Sequence, residues 1–294
     1  MPTNTVQQLY QKAKQYLLGS DVDDYDLTAL FVIEHVCSDT YINLLARDEP
    51  ITKEKEAAVF LALDACKNGM PLAYALGTAM FNGQMYAVQQ GVLIPRPETE
   101  ELVAIAAAVI DCDINSHPSI VECGVGSGVI SLELAKQFPR RMFRGWDISH
   151  RAIETAQRNM ASMGLDNVVF SQGDFFDGVP EWSSTDNVII VSNPPYVAED
   201  EYQGLDRRVL REPKEALVAD KHGLSIIFQL VEVSIAHSAI LLCEIGCNQR
   251  QRILESFPDT ELLVIRDLTG HDRFLCYVPS QRGGIQRFAN ALGI

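Results

Sequence analysis

A short polar motif, Asn-Pro-Pro-Tyr, occupies residues 193–196. It follows the apolar run Val188–Val191, from which one serine separates it. The β-branched run predicts a strand buried on both faces, and each proline holds the residue before it in an extended conformation. The side-chain oxygen of Asn193 and the carbonyl of Pro194 are acceptors. Two acceptors beside the ring of Tyr196 suit a planar NH2 group. The alternative is that the motif only forms a loop at a strand end.

A glycine-rich turn of the form G-x-G-x-G lies upstream of this motif, directly after a predicted strand. The turn consists of Gly124, Val125, Gly126, Ser127 and Gly128. A dinucleotide fingerprint is G-x-G-x-x-G, and Val129 occupies the position of its third glycine. The turn allows a ligand to approach the backbone, but it lacks the pattern expected for a pyrophosphate at a helix N-terminus.

Acidic residues around the turn favour S-adenosylmethionine over NAD as the cofactor. Asp147 ends the next predicted strand, roughly 20 residues downstream, where a carboxylate can accept both hydroxyls of a ribose. Glu122 precedes the turn and adds negative potential where a cationic group of the cofactor would lie. Asp174 and Phe175 follow the third predicted strand and complete the candidate cofactor residues.

Strands and helices alternate from residue 119 onward, which predicts an α/β fold with a doubly wound parallel sheet. Ligands bind such sheets beyond the carboxyl ends of the strands. The glycine turn, Asp147, Asp174 and Asn193 all follow or end strands, so we expect them to converge on one crevice. The predicted strands are residues 120–123, 142–148, 168–172, 188–191, 240–245, 262–267 and 274–278.

The residues before the sheet predict a small helical module followed by a connector. Helical spacing of apolar residues runs through residues 1–75, with Asp26 and Thr52 as expected N-caps of two helices. Asn82 and Gly83 lie between aromatic and β-branched residues, which predicts a β-hairpin.

The segment Ile94–Glu100 reads Ile-Pro-Arg-Pro-Glu-Thr-Glu. Pro97 suits the first position of a helix, and the acids that follow complement the helix dipole. A well-capped helix start does not explain an arginine fixed between two prolines. We therefore expect the loop around Arg96 to form one wall of a pocket.

The composition is that of a globular protein with a large core and is compatible with one large and one smaller domain. The chain has 294 residues, of which 47% are hydrophobic and 21% charged. Its start predicts no secretory signal, and polar residues interrupt the most apolar stretch, 225–243, which argues against a membrane span. A net charge of −15 disfavours loose association with nucleic acid, although a local basic groove stays compatible with it.

The cysteine pattern predicts a reducing compartment and no metal site. The chain contains seven cysteines, an odd number, scattered mostly among apolar neighbours. It has no Cys-x-x-Cys sequence, and its six histidines show no paired-ligand spacing.

Three segments occur in the order found in the release factor glutamine methyltransferases of the HemK/PrmC type. They are residues 94–100, Glu-Cys-Gly-Val-Gly-Ser-Gly at 122–128 and Ser-Asn-Pro-Pro-Tyr at 192–196. Arg-Glu-Pro at 211–213 and Arg-Asp-Leu at 266–268 resemble later motifs of the family, so the likeness spans nearly the whole chain. The Asn-Pro-Pro-Tyr motif is shared with adenine-N6 and guanine-N2 methyltransferases, whereas the segment at 94–100 is more specific. The chain therefore resembles this family.

The resemblance implies a Rossmann-like, seven-stranded class I methyltransferase sheet with a small helical N-terminal domain. The implied domains are a helical substrate-recognition domain at 1–75, a β-hairpin linker at 76–97 and a methyltransferase domain at 98–294. Contacts with S-adenosylmethionine are implied for Gly124–Gly128, Asp147, Phe175 and Asn193. The residues implied to hold the substrate glutamine are Asn193, Pro194, Pro195 and Tyr196, among which Asn193, Pro194 and Tyr196 are the catalytic candidates. Glu122 stands where many relatives have Asp, and Phe175 where some have Trp, so charge and ring are kept.

The implied reaction methylates the side-chain amide nitrogen of a glutamine in the Gly-Gly-Gln motif of peptide-chain release factors, in the cytoplasm. No stable nucleic-acid or membrane partner is expected. Two other function classes stay open. A nucleic-acid methyltransferase would apply the same motif to an exocyclic amine, and a cofactor-binding protein without activity would use the motif only structurally.

Overall fold

The computed structural model describes residues 4–112, 118–178, 187–286 and 289. The chain forms two compact units. The first consists of Met1–Thr78 together with Asp206–Arg211, and the second of Ala79–Leu205 together with Glu212–Ile294. Within the described ranges, no helix is both long enough and apolar enough to cross a membrane.

The first unit is built from five helices around an apolar core. They are α1 (Val6–Leu17), α2 (Tyr25–Cys37), α3 (Tyr41–Arg47), α4 (Lys53–Lys67) and α5 (Leu72–Leu76). Leu9, Ile33 and Leu63 come from three different helices and are fully buried together. Burial of each such side chain contributes about 1.5–3 kcal/mol, which is how so short a segment holds a fold.

Of the two predicted N-caps in this unit, one is confirmed and one is wrong. The Thr52 side chain accepts a hydrogen bond from the backbone N–H of Lys55 and caps α4. Helix α2 begins two residues earlier than predicted, because Asp24, in a left-handed conformation, takes the N-cap position in place of Asp26. Asp26 lies inside the first turn of α2, where its carboxylate pairs with Lys14 at 2.7 Å.

Residues 206–211 belong to this first unit although they lie far along the chain. Arg207 pairs with Asp21 at 2.9 Å, and Arg208 pairs with Asp23. The Arg207 and Asp21 side chains are both 86% exposed, so that pair contributes at most about 1 kcal/mol.

The predicted β-hairpin is present, and all of it after Thr78 belongs to the second unit. Strands β1 (Thr78–Phe81) and β2 (Gln84–Ala87) flank Asn82 and Gly83, whose φ angles are 48° and 71°. Two consecutive left-handed residues form the tight turn that matches the twist of paired strands.

A seven-stranded sheet forms the centre of the second unit, in the order β5-β4-β3-β6-β7-β9-β8. Its strands are β3 (Ser119–Cys123), β4 (Phe143–Asp147), β5 (Val168–Gln172), β6 (Val188–Ser192), β7 (Ile240–Glu244), β8 (Leu262–Arg266) and β9 (Asp272–Tyr277). Of these seven strands, β9 alone runs opposite to the other six. The predicted parallel sheet is therefore confirmed except at this strand. All five residues of β6 and of β7 are buried, which confirms that these apolar runs are central strands.

Helices cover both faces of this sheet. They are α6 (Pro97–Cys112), α7 (Val129–Gln137), α8 (His150–Met163), α9 (Phe175–Gly178), α10 (Glu199–Tyr202), α11 (Asp220–Gly223), α12 (Ser225–Ala236) and α13 (Arg250–Ser256). Alternate residues of β6 point to opposite faces, so Ile189 belongs to the same apolar cluster as Leu102 of α6, and Ile190 to the same cluster as Ile227 of α12.

The register of the sheet aligns the ends of its central strands. Cys123 of β3 lies opposite Trp146 of β4 on one side and Ser192 of β6 on the other. The residues that follow, Gly124 and Asn193, therefore leave the sheet at one edge, next to Asp147 at the end of β4. The strand order reverses between β3 and β6, which is the position where such sheets bind ligands.

Asn159 of α8 ties the hairpin to the glycine turn. Its Oδ1 accepts from the backbone N–H of Ala87 at 2.7 Å, and its Nδ2 donates to the carbonyls of Ala87 and Ser127 at 3.0 and 2.8 Å. The side chain is 2% exposed, so water cannot replace these bonds.

We expect Asn159→Leu, which keeps the side-chain volume, to lower the free energy of unfolding by roughly 2–4 kcal/mol because three backbone groups lose their partner. Urea unfolding followed by circular dichroism measures this. Asn248→Leu, at an exposed position, is the control and should change stability little. Equal stability of both variants would contradict this role of Asn159.

Candidate active site

A cavity of about 230 Å³ opens at the carboxyl edge of the sheet. Its walls come from the ends of β3, β4, β5 and β6. Eight of the predicted site residues line it: Gly124, Gly126, Asp147, Asp174, Phe175, Asn193, Pro194 and Pro195. Val125 and Ser127 line a smaller adjoining cavity of about 40 Å³. The predicted crevice at the strand ends is therefore present.

The glycine turn is folded so that its backbone faces the cavity. Gly124 and Gly126 have φ angles of 77° and 55°. Gly128 lies further from the cavity, where a Cβ atom would come within 3.0 Å of Ala156 Cβ on α8. This close approach of turn and helix accounts for Gly128 structurally, and its cofactor contact stays a prediction.

Asp147 is held by two backbone donors. Its Oδ2 accepts from Gly126 N at 2.9 Å, and its Oδ1 accepts from Ser149 N at 2.8 Å. Burial raises the pKa of Asp147 despite these two bonds, and the charge of Glu215 adds to the rise. Each carboxylate oxygen keeps lone pairs for a further donor, which suits two neighbouring hydroxyl groups.

Aromatic rings form the next part of the wall. Phe175 is buried, and its ring meets Trp146 edge-on at a centroid distance of 5.9 Å. Trp146 lines the cavity as well, a role that sequence reasoning missed although the residue precedes Asp147 at a strand end. Asp174 accepts from Phe176 N at 2.9 Å, which fixes the turn after β5.

Asn193 is connected by hydrogen bonds to Thr99 and, through it, to Glu244, two residues that are not among the predicted site residues. Its Nδ2 donates to Thr99 Oγ1 at 2.9 Å, and the Thr99 hydroxyl donates to Glu244 Oε2 at 2.8 Å. The Tyr196 hydroxyl donates to Glu244 Oε1 at 3.0 Å. Two features of the sequence could have pointed to these residues. Thr99 lies within the family-specific segment at 94–100, and Glu244 ends the strand that neighbours β6.

Arg96 fixes the proline-containing loop at residues 94–97 by an ion pair with Glu212. Its Nη2 lies 2.6 Å from Glu212 Oε1, and Ile94 N donates to Glu212 Oε2 at 2.9 Å. The Glu212 side chain is 2% exposed. Leu93 and Pro213, next to these residues, line the cavity, so the ion pair joins two segments of its wall. The arginine between two prolines therefore holds the cavity wall together.

The backbone after the proline pair is also fixed. Gln249 Nε2 donates to the Tyr196 carbonyl at 2.9 Å. Gly223, with φ of 76°, packs so closely that a Cβ atom there would lie 2.1 Å from that carbonyl oxygen. Tyr196 itself is held through its hydroxyl and its carbonyl, and it does not line the larger cavity.

Glu122 lies beneath the glycine turn and borders the smaller cavity. Its Oε2 accepts from the backbone and hydroxyl of Ser131, while its Oε1 has no hydrogen-bond partner among the described residues. Burial raises the pKa of Glu122 to about 8. A cationic group in that cavity would favour the ionised form of this carboxyl.

Comparison with known proteins places these features in a family. Residues 8–77 match the PrmC N-terminal domain, and residues 114–233 match a methyltransferase domain. A release factor glutamine methyltransferase from Nitratidesulfovibrio vulgaris is 35% identical over 92% of this chain and 94% of its own length. One from Vibrio cholerae is 33% identical over 92% and 95%. This chain belongs to the release factor glutamine methyltransferase family.

Membership of the release factor glutamine methyltransferase family confirms the resemblance stated from the motifs. The fold is shared more widely. The catalytic domain of hMettl16, in complex with a 3′UTR hairpin, aligns with a TM-score of 0.52 and 12% identity, covering 77% of this chain and 82% of that one. The predicted class I methyltransferase fold is thus confirmed.

For this family member we expect Glu122→Gln to change how stability depends on pH. In the unfolded chain Glu122 loses its proton near pH 4.5, but in the folded chain it keeps the proton up to about pH 8. Folded protein therefore binds more protons between these values, and its free energy of unfolding falls as pH rises. The variant should gain stability relative to the unmodified protein from pH 5 to pH 8, by up to about 4 kcal/mol.

Urea unfolding at several pH values, without cofactor, measures this difference. Asp147 and Glu244, which also have raised pKa values, are present in both proteins and cancel. Parallel pH profiles of the two proteins would contradict the assignment.

Proposed function

We propose that this protein transfers a methyl group from S-adenosylmethionine to the side-chain amide nitrogen of a glutamine in peptide-chain release factors. The Gly-Gly-Gln motif is the proposed target, and the cytoplasm, where translation terminates, is the proposed location. The observation that carries the proposal is the fixed amide of Asn193, which lines the cavity beside the carbonyl of Pro194.

The cavity suits S-adenosylmethionine. Asp147 offers two anchored carboxylate oxygens for the ribose hydroxyls, and Phe175 with Trp146 offers an aromatic wall. The free oxygen of Glu122 suits the amino group of the methionine part. When bound, the cofactor supplies an electrophilic methyl group on a positively charged sulfur.

The residues around Asn193 then orient the acceptor. A glutamine amide nitrogen is a poor nucleophile because its lone pair is delocalised into its carbonyl. Asn193 Oδ1 and the Pro194 carbonyl can each accept one of its N–H bonds, which fixes the amide plane and favours a pyramidal nitrogen. No general base is required before transfer, because the proton leaves after nitrogen has gained positive charge.

Two effects of these residues would lower the barrier. Holding both reactants in line supplies roughly 7–11 kcal/mol in favourable cases. Positive charge develops on the nitrogen as the new bond forms, and the two carbonyl dipoles stabilise that charge. Tyr196 does not line the larger cavity, but its ring lies in the motif and is fixed by its hydroxyl, so its proposed role is to pack against the flat face of the substrate amide.

The first unit is proposed to recognise the release factor, since a loop tip alone offers little contact area. It matches the PrmC N-terminal domain over residues 8–77 and contains residues 206–211 as well. A nucleic-acid substrate is disfavoured by the net charge of −15. The likeness to hMettl16, at 12% identity, concerns the fold alone.

The deciding experiment incubates the purified protein with isotope-labelled S-adenosylmethionine and purified release factor, followed by peptide mass spectrometry. The expected product is a single methyl group on the glutamine of Gly-Gly-Gln. A release factor with that glutamine changed to alanine is the negative control. Label incorporated into RNA or DNA, with none in the release factor, would refute the proposal, and cofactor binding without any product would indicate an inactive binder.

Asp147→Ala should weaken S-adenosylmethionine binding by about 1–3 kcal/mol, because two charge-assisted hydrogen bonds are lost. Isothermal titration calorimetry gives the affinity. Asp166→Ala, at an exposed position before β5, is the matched control and should bind as tightly as the unmodified protein. An unchanged affinity of a folded Asp147→Ala variant would reject the ribose assignment.

Asn193→Ala should lower kcat far more than cofactor affinity, because its contacts with the acceptor strengthen in the transition state. A loss on the order of 100-fold or more in kcat is expected, as for removal of one stabilising group. Single-turnover methylation and calorimetry on the same sample separate the two quantities. Equal losses would assign Asn193 to cofactor binding instead.

A further inference from the structure

The buried hydrogen bonds behind Asn193 have a defined direction. Thr99 and Glu244 are 3% and 1% exposed, so water does not compete for their polar atoms. An ionised carboxylate only accepts hydrogen bonds, and a hydroxyl has a single proton to donate. The Thr99 proton points to Glu244, so the Thr99 oxygen offers only lone pairs to Asn193. The NH2 end of the Asn193 amide must therefore face Thr99.

This direction decides what the active site presents to a ligand. With Nδ2 directed to Thr99, the opposite atom, Oδ1, is the end available to the cavity that Asn193 lines. Within the described part of the chain, no donor forms a hydrogen bond to that oxygen. The reversed Asn193 amide would present its NH2 group to the cavity instead. The hydrogens of that group would repel the hydrogens on the substrate amide nitrogen.

We propose that Glu244, acting through Thr99, is a positioning residue that fixes which end of the Asn193 amide faces the substrate. Glu244 also accepts a hydrogen bond from the Tyr196 hydroxyl. One carboxylate therefore orients the Asn193 and Tyr196 side chains at the two ends of the motif. For its activity readout the inference rests on the proposed glutamine substrate.

The role requires Glu244 to be ionised. Burial raises its pKa, and the charge of Glu98 at the start of α6 adds to the rise. Hydrogen bonds from Thr99 and Tyr196, together with the charge of Arg273 on β9, lower it. A protonated Glu244 could donate to Thr99, whose hydroxyl would then donate to Asn193 and reverse the amide.

Glu244→Gln imitates that reversed state, because a glutamine NH2 group can donate to Thr99. Thr99→Val removes the connecting hydroxyl at nearly constant shape. Both variants should lower kcat on the order of 10- to 100-fold, the range seen when an orienting partner is removed, while calorimetric S-adenosylmethionine affinity stays within about threefold. Thr99→Ser, which restores the hydroxyl, should recover most of the lost turnover.

Glu133→Gln is the matched control. Glu133 is another buried glutamate, it accepts from the Tyr86 hydroxyl at 2.5 Å, and it does not line either cavity of the site. A loss of kcat in Glu133→Gln equal to that in Glu244→Gln would attribute the effect to general destabilisation and overturn the proposal.

The pH profile gives a readout that a purely structural role would not move. In the unmodified protein kcat, measured at saturating cofactor, should rise with pH as Glu244 loses its proton. That rise should be absent in Glu244→Gln. An identical rise in both proteins, or wild-type kcat in Glu244→Gln and Thr99→Val, would overturn the proposal.

A measurement without substrate separates this inference from the proposed function. In 15N-labelled protein the Asn193 side-chain NH2 signals, identified by their loss in Asn193→Ala, should exchange slowly with water and exchange faster in Thr99→Val. Slow exchange in a protein that leaves release factors unmethylated would refute the proposed function but support the positioning network. Equal exchange in both proteins would overturn the network even if release factors are methylated.

Discussion

Parallel pairing between β3 and β6 places the polar groups of the site side by side. Cys123 lies opposite Ser192, so the glycine turn and Asn193 leave the sheet at neighbouring points. From this pair the strand order runs outward in both directions, to β4 and β5 on one side and to β7 on the other, which leaves the crevice between them open. A slip of one residue would shift Asn193 by about 3.3 Å and turn its neighbours to the opposite face. The register of these two strands thus determines where the polar groups of the site lie relative to one another.

Three carboxyl groups lie at this edge: Glu122 and Glu244 are buried and Asp147 is half-buried. Loss of hydration raises the pKa of each. Each is held by hydrogen-bond donors from its own unit, which keeps its position fixed before any ligand arrives. Grouping acids in this way costs stability, and the apolar clusters on both faces of the sheet offset that cost. The protein therefore holds three preorganised carboxyl groups at the strand ends, on a sheet with an apolar cluster on each face.

Most of the fold could be predicted from the sequence because its signals are local. The β-branched run before Asn193 and the Asn82-Gly83 turn each depend on neighbouring residues, and both elements are present. The strand-end positions of the candidate cofactor residues followed from the same patterns. The supports of the site could not be predicted in this way. Thr99 and Glu244 lie 145 positions apart, and Arg96 and Glu212 lie 116 apart, so only the folded sheet brings them together.

The wrong N-cap prediction at Asp26 has a local cause. Asp24 adopts a left-handed conformation, which is uncommon for residues other than glycine, and the helix therefore begins before Asp26.

The path of the chain through its two units bears on how these units can be inherited or exchanged. It passes from one unit to the other after Thr78, after Leu205 and after Arg211. A cut after Thr78 would leave Arg207 and Arg208 on one fragment and their partners Asp21 and Asp23 on the other. A chimera that exchanges the helical unit between relatives must therefore carry two separate pieces of sequence, one of which is inserted into the catalytic unit. Genetic recombination at a single breakpoint cannot deliver both, which favours descent of the two units as one gene segment.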